Sequence, residues 1–123
     1  MTSNPHAGLP PQIQQQLGMF QQLQQQLQQI SSQKIQYEMA VRESKHAIEE
    51  LESIADEAKV FSSIGSVMIQ KDKASVLTEL NDKVESLGLR ISSLDKQEKA
   101  MTEKATQLQK QIQEEINSAK SAK

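Results

Sequence analysis

The sequence contains no cysteine and no tryptophan, and only Phe20, Tyr37 and Phe61 are aromatic among its 123 residues. Without cysteine the chain has no disulfide framework and no thiolate chemistry, which suits a reducing compartment and makes the cytoplasm the expected location. With 36% hydrophobic residues and a mean hydropathy of −0.62, the chain has too few large apolar side chains to fill a thick core. Elongated helices and disorder are therefore the starting candidates, and a compact enzyme fold is disfavoured.

The charges are nearly balanced, and the apolar runs are short. The formal net charge is −2, and no stretch gathers the lysines and arginines that phosphate groups require, so neither nucleic acid nor a membrane surface is an expected partner. The longest apolar runs, such as Val67-Met68-Ile69, are far shorter than the roughly 20 residues that span a bilayer. No secretory signal is predicted at the start of the chain.

The chain also lacks the patterns that bind cofactors or carry catalysis. Its four glycines are isolated, so no glycine-rich loop is available to wrap a phosphate. His6 and His46 have no cysteine and no spaced acidic partners that would complete a metal site. A small hydrolase that uses His46 and neighbouring acids would have no pocket to work in. We predict no enzyme, no cofactor, no metal site and no catalytic residue.

What the chain does contain is a seven-residue apolar repeat in each half. In the first half only Gln16, Lys34 and Ser44 interrupt the apolar seam, whose positions are Ile13, Gln16, Phe20, Leu23, Leu27, Ile30, Lys34, Tyr37, Val41, Ser44, Ile48, Leu51, Ala55 and Ala58. In the second half only Glu98 and Glu115 interrupt it, at positions Leu77, Leu80, Val84, Leu87, Ile91, Leu94, Glu98, Met101, Ala105, Leu108, Ile112, Glu115 and Ala119. This period predicts coiled-coil helices over 12–58 and 73–119, with flexible tails at 1–11 and 120–123.

Residues 59–71 break the repeat and have the composition of a β-hairpin. β-Branched and aromatic residues flank a Ser-Ser-Ile-Gly turn, which predicts strands near 59–63 and 66–71. Gly65 can adopt the positive φ that a tight turn requires, and Asp72 can cap the second helix. The expected fold is mainly α: a long antiparallel two-helix coiled coil with one central β-hairpin.

The predicted hairpin is too apolar to remain alone in water. A two-stranded hairpin is marginally stable and has two open edges, so copies or relatives of the chain must join their hairpins in an oligomeric β-sheet body. The residues expected to mediate this oligomerisation are Val60, Phe61, Ile64, Gly65, Val67, Met68 and Ile69.

Three segments together resemble the β-type subunit of prefoldin: IQQQLGMFQQLQQQLQQISSQKIQYE at 13–38, AKVFSSIGSVMIQKD at 58–72, and the leucine-rich helix that follows. The resemblance implies one prefoldin-like domain over 12–119, in a hexamer of two α-type and four β-type subunits whose hairpins form β-barrels. It also implies an ATP-independent holdase whose coiled coils bind unfolded proteins and pass them to a group II chaperonin.

The predicted client-binding surface is at the end of the helix pair where both chain termini lie. Its residues are Ile13, Leu17, Met19, Phe20, Leu108, Ile112 and Ile116. Leu17, Met19 and Ile116 fall outside the seam, so the apolar stripe there is wider than a partner helix covers, although these residues could instead only cap the coiled coil. The glutamines of 12–36 are either plain helix formers or a neutral surface that tolerates varied clients. The alternative function is a structural coiled coil that tethers two partners.

Overall fold

The computed structural model describes residues 9–121, in the order helix, strand, strand, helix. The elements are α1 (Pro11–Glu52), β1 (Val60–Ile64), β2 (Val67–Lys71) and α2 (Lys73–Ser121). Two long helices around a single hairpin confirm the predicted mainly α class. The chain divides into two compact units: unit 1 contains the described residues up to Ser32 and from Asp95 onward, and unit 2 contains Gln33–Leu94.

Helix α1 begins one residue earlier than predicted. Pro11 is its first residue, a position where proline fits because the first amides of a helix have no intrahelical acceptor. Gln14 N donates to Pro10 O at 3.1 Å, and Gln14 Nε2 donates to Leu9 O at 2.7 Å. The predicted tail over 1–11 is therefore wrong at 9–11, because these bonds and the packing of Leu9 hold the chain. Residues 1–8 lie outside the described residues.

Helix α1 ends at Glu52, whereas the heptad pattern predicted an end at 58. The backbone amides of Ser53 and Ile54 donate to carbonyls three residues back, and Ser53 Oγ donates to Glu50 O at 2.7 Å. The side chain of Ser53 thus competes for the helical acceptors. Lys73 Nζ then bonds Ile54 O at 2.9 Å and Asp56 Oδ1 at 3.0 Å, which fixes the connection to the hairpin.

The hairpin has a two-residue loop, Gly65–Ser66, between β1 and β2. Cross-strand pairs run from Val60 opposite Lys71 to Ile64 opposite Val67. Gly65 has φ 60°, and no other described residue has a positive φ, which matches the first central position of a type II′ turn. The predicted need for glycine at 65 is confirmed, while each predicted strand start moves by one residue.

Helix α2 starts at a side-chain cap. Asp72 Oδ1 accepts a hydrogen bond from Ser75 N at 2.6 Å, and Asp72 O accepts the first helical bond, from Val76 N. This geometry confirms the cap predicted at Asp72. The hydrogen bonds from Ser75 hold the pKa of the Asp72 carboxyl below its ordinary value of 3.8.

At the other end, α2 extends to Ser121, so the predicted tail at 120–123 is wrong at 120 and 121. Lys120 suits the dipole of the last turn. Residues 122 and 123 lie outside the described residues.

Replacing Asp72 by Ala should lower the melting temperature at neutral pH, because the first turn of α2 loses its acceptor. Since the folded pKa of Asp72 is depressed, its contribution is complete above the ordinary value of 3.8 and disappears as the pH falls through the lower folded pKa. The gap between wild type and Asp72→Ala should therefore close in melts recorded below pH 3.8. Asp82→Ala, which removes an exposed carboxylate from the same helix, is the control. A gap that persists in acid would mean that the charged cap is not its cause.

The buried residues occupy the predicted seam. They are Ile13, Ile30, Ser44, Leu87, Leu94, Ala105, Leu108 and Ile112, and each belongs to one of the two heptad repeats. In unit 1, Ile13 packs with Leu108 and Ile112, and in unit 2 the Arg90 guanidinium carbon lies 5.8 Å from the centre of the Tyr37 ring. Farther along the chain, Gln26 shares a cavity with Lys104 in unit 1, and Ile54 O accepts a hydrogen bond from Lys73 in unit 2, so within each unit α1 and α2 run antiparallel. No described side chain is less than 2% exposed, as expected for a core that only two helices enclose.

Candidate functional site

The hairpin presents two different faces, because successive side chains of a strand point to opposite sides. The cross-strand register assigns one face to Val60, Ser62, Ile64, Val67, Ile69 and Lys71. The opposite face carries Phe61, Ser63, Met68 and Gln70. We call these the aliphatic face and the Phe61 face. Both contain large apolar side chains, so a single covering layer could bury only one of them.

Apolar side chains on both hairpin faces are exposed within the described chain. The exposed fractions of Phe61, Ile64, Val67, Met68 and Ile69 lie between 43% and 67%, and Val60 is half-buried. The structure thus brings all the residues predicted to mediate oligomerisation, with Gly65 at the turn, into one exposed element. Whether they form an interface stays a prediction.

The residues predicted to bind clients gather in unit 1, but they differ in accessibility. Ile13, Leu108 and Ile112 form a buried cluster, which we call the end cluster. Leu17, Phe20 and Ile116 are half-buried against it, as are Leu9 and Leu23. Met19 alone among the predicted client-binding residues is classed as exposed, at 50%. The expectation that Leu17 and Ile116 lie free of the helix packing is therefore corrected, because both pack on the end cluster.

A polar contact links α1 and α2 in unit 1. Gln12 Nε2 and Gln16 Nε2 both donate to Glu115 Oε1 at 3.3 Å. The Gln16 side-chain oxygen is buried and has no hydrogen-bond partner among the described residues. The two seam interruptions Gln16 and Glu115 thus contact each other across the helices, which explains why polar residues are tolerated at these positions.

Next to the end cluster, an open groove runs between α1 and α2 of unit 1. It consists of two adjoining cavities, of about 230 and 260 Å³, that share Met19, Leu23 and Lys104. The first cavity is completed by Gln22 and Gln26, and the second by Gln107, Leu108 and Gln111. We call this the glutamine groove. Its apolar floor is bordered by carboxamides and one ammonium group, without a carboxylate.

Other chemistry is sparse in the described chain. His46 is exposed, and its Nε2 lies 3.9 Å from Glu50 Oε1, one helical turn away. Among residues 9–121, no three histidine, aspartate or glutamate side chains converge on a possible metal position. Neither described helix has an apolar stretch long enough to cross a membrane.

The architecture and its sequence match one family over nearly the whole chain. The model of the "Prefoldin subunit" family matches residues 14–119. The chain belongs to the prefoldin subunit family. It is 45% identical to the prefoldin beta subunit of Methanospirillum hungatei over 91% of this chain and 93% of that relative, and 44% identical to that of Methanosarcina acetivorans over 88% and 92%. The resemblance to β-type prefoldin subunits is thus confirmed.

Solved prefoldin structures agree with the fold described above. The crystal structure of the prefoldin beta subunit from Thermococcus strain KS-1 matches with a TM-score of 0.80 at 37% identity, covering 87% of this chain and 94% of that one. The prefoldin beta2 subunit from the same strain matches with a TM-score of 0.68 at 20% identity, which supports the fold alone. The chain is accordingly a prefoldin chaperone subunit, from a family of chaperones and not of enzymes.

Sequence reasoning missed three residues that shape this prefoldin subunit. Leu9 packs on the end cluster, and an apolar residue directly before the prolines that start a helix could have signalled this contact. Lys73 Nζ bonds Ile54 O and Asp56 Oδ1, and no local sequence pattern predicts these contacts. Lys104 lines the glutamine groove from an exposed heptad position, where a lysine normally serves solubility.

Proposed function

We propose that the chain is the β-type subunit of a hetero-oligomeric prefoldin, an ATP-independent holdase that binds non-native proteins and passes them to a group II chaperonin. Its assembly is a hexamer with two α-type and four β-type subunits, whose hairpins join in β-barrels. ATP independence, stoichiometry and transfer to the chaperonin are what membership of the family implies. A cytoplasmic location stays a prediction from the sequence.

The exposed apolar hairpin is the observation that carries this proposal. Apolar side chains on both of its faces are exposed, and neither strand pairs with another strand of residues 9–121 along its outer edge. Hairpins from other subunits would pair with these edges and bury the aliphatic face inside a barrel. A structural tether, the alternative function, needs the helices but gives no reason for these exposed residues.

Client binding belongs, in this proposal, to unit 1. Met19 offers an exposed, flexible thioether beside the half-buried Leu17 and Phe20. Methionine adapts to varied apolar partners, and several such surfaces in one assembly raise a weak affinity through effective concentration. Ile13, Leu108 and Ile112 would contact a client only where the two helices separate, because they are buried in the end cluster.

The assembled protein is expected to suppress aggregation of a chemically denatured enzyme without nucleotide. The chain is mixed with an α-type subunit, assembly is verified by native mass spectrometry, and light scattering is recorded as the denatured enzyme is diluted into buffer. Suppression should approach completion when client-binding assemblies are in excess over the enzyme. A correctly assembled complex that leaves the scattering unchanged would favour the tether.

A matched pair of methionines tests where clients bind. Met19 and Met39 are 50% and 52% exposed on α1, in unit 1 and unit 2 respectively. Met19→Ser should weaken suppression severalfold, because it removes the exposed apolar contact of unit 1, whereas Met39→Ser should behave like the wild type. Equal loss in both variants would spread client binding along α1, and no loss in Met19→Ser would move it away from this position.

A further inference from the structure

The glutamine groove contains one charge that nothing in it balances. Lys104 lines both cavities, and the other lining residues are methionine, leucine and glutamine. Lys104 makes no ion pair or hydrogen bond with another described residue. The first 33 residues contain no aspartate or glutamate at all, so α1 brings no carboxylate to this part of unit 1. The groove is therefore complementary to a negative group next to an apolar one.

The glutamines add a second kind of recognition. Gln22 and Gln26 border one cavity, and Gln107 and Gln111 border the other. Each carboxamide carries a donor and an acceptor, as a peptide backbone unit does. None of these four side chains makes a hydrogen bond with another described residue. They are thus available to bond the backbone of an extended segment, whatever its side chains.

The shape of the groove favours an extended segment over a helix. A bound helix presents apolar anchors at positions i, i+3, i+4 and i+7 and needs a long hydrophobic groove. Here the apolar floor is limited to Met19, Leu23 and the largely buried Leu108, within two cavities of about 230 and 260 Å³. These cavities have room for one or two side chains, and the surrounding carboxamides suit an unpaired backbone.

We propose that the glutamine groove binds an extended segment of a client protein in which an apolar side chain stands next to an aspartate or glutamate. The apolar side chain contacts Met19 and Leu23, the carboxylate pairs with Lys104, and the carboxamides bond the backbone. This inference rests on the proposed function and gives it a client preference. A segment in which acidic residues flank the apolar one therefore binds more tightly than a segment in which basic residues flank it.

Fluorescence anisotropy with labelled nine-residue peptides tests the preference on the chain assembled with its α-type partner. Each peptide has one central leucine, flanked by two aspartates, two lysines or two asparagines. At low ionic strength the aspartate peptide should bind about threefold to fivefold more tightly than the asparagine peptide, and the lysine peptide more weakly than either. Lys104→Glu should reverse this order. Lys110→Glu makes the same charge change at an exposed position of α2 outside the groove, and it should keep the order.

A fourth peptide examines the backbone contacts. Methylation of the amide nitrogens on both sides of leucine removes two donors, so this peptide should bind severalfold more weakly than its unmethylated aspartate counterpart. Equal binding of the two would overturn the role of the carboxamides. The charge preference is overturned if Lys104→Glu, with the helicity and assembly of the wild type, retains the wild-type order.

The outcomes separate this inference from the proposed function. If the Lys104→Glu assembly keeps the wild-type peptide order and still suppresses client aggregation, the chain is a holdase but the groove is not its client-binding site. If the peptides bind in the expected order but aggregation is not suppressed, the proposed holdase function is wrong. Failure of all four peptides to bind overturns the groove proposal regardless of the scattering result.

Discussion

Aspartates placed at both Val67 and Ile69 are expected to prevent assembly of the chain while its helices stay folded. Both residues lie on the aliphatic face of β2, and the register places Ile64 opposite Val67. If this face is buried between hairpins, each unpaired carboxylate costs several kcal/mol, and every 1.4 kcal/mol weakens association tenfold. Native mass spectrometry of the Val67→Asp and Ile69→Asp double variant, mixed with an α-type subunit, should show free chains at concentrations where the wild type is fully assembled.

The control for this variant carries the same added charge elsewhere. Met39 and Leu89 are 52% and 70% exposed on the helices of unit 2. Their combined replacement by aspartate should leave the assembly intact, and circular dichroism should show the same helicity for both double variants. If the hairpin variant keeps the wild-type mass, the subunits associate through another surface, and the explanation given for the exposed hairpin is wrong.

Ile112→Ala should destabilise the end cluster by about 2 kcal/mol. Removal of a buried isoleucine costs both its transfer free energy and the cavity left behind, and the expected value is at the low end of the range because two helices alone enclose the site. The consequence should be local. Hydrogen exchange followed by mass spectrometry should show lost protection in 11–32 and 95–121, with 33–94 unchanged.

Two further variants determine whether Ile112 acts through packing or through direct client contact. Leu89→Ala removes a large side chain that is 70% exposed, and its effect should stay within about 0.5 kcal/mol. Ile112→Val keeps most of the packing, so it should restore both protection and suppression of client aggregation. Restored protection without restored suppression would instead assign Ile112 a direct contact with clients.

The heptad pattern predicts the stripe on which the buried residues lie, but not which of its positions are buried and which are only half-buried. Ile13, Leu87 and Ile112 are seam positions, and so are the other buried residues of the described chain. A period close to the helical repeat places these side chains on one stripe of each helix, and the stripe has to be covered by another. The hairpin could also be predicted from the sequence, because Gly65 and the β-branched residues around it are local signals.

Only the structure shows which side chains at the client-binding end of the chain are exposed. The sequence predicts exposed apolar side chains at Leu17 and Ile116, since both fall outside the strict seam positions. They pack on the end cluster because side chains of a two-helix core reach in from flanking positions as well. Met19 is left exposed, and the difference between these three residues depends on how each helix is rotated toward its partner.

The sequence by itself determined the element order, the seam, the turn glycine and the family. Only the tertiary structure decided how Lys73 fixes the connection after α1, where Leu9 packs, and that Lys104 lies in a groove among glutamines. The physical reason is the separation of the partners along the chain. Heptads, turns and caps act between residues a few positions apart, whereas Lys73 bonds Ile54 O across 19 positions and Lys104 shares a cavity with Met19. Such contacts exist only after the chain has folded back.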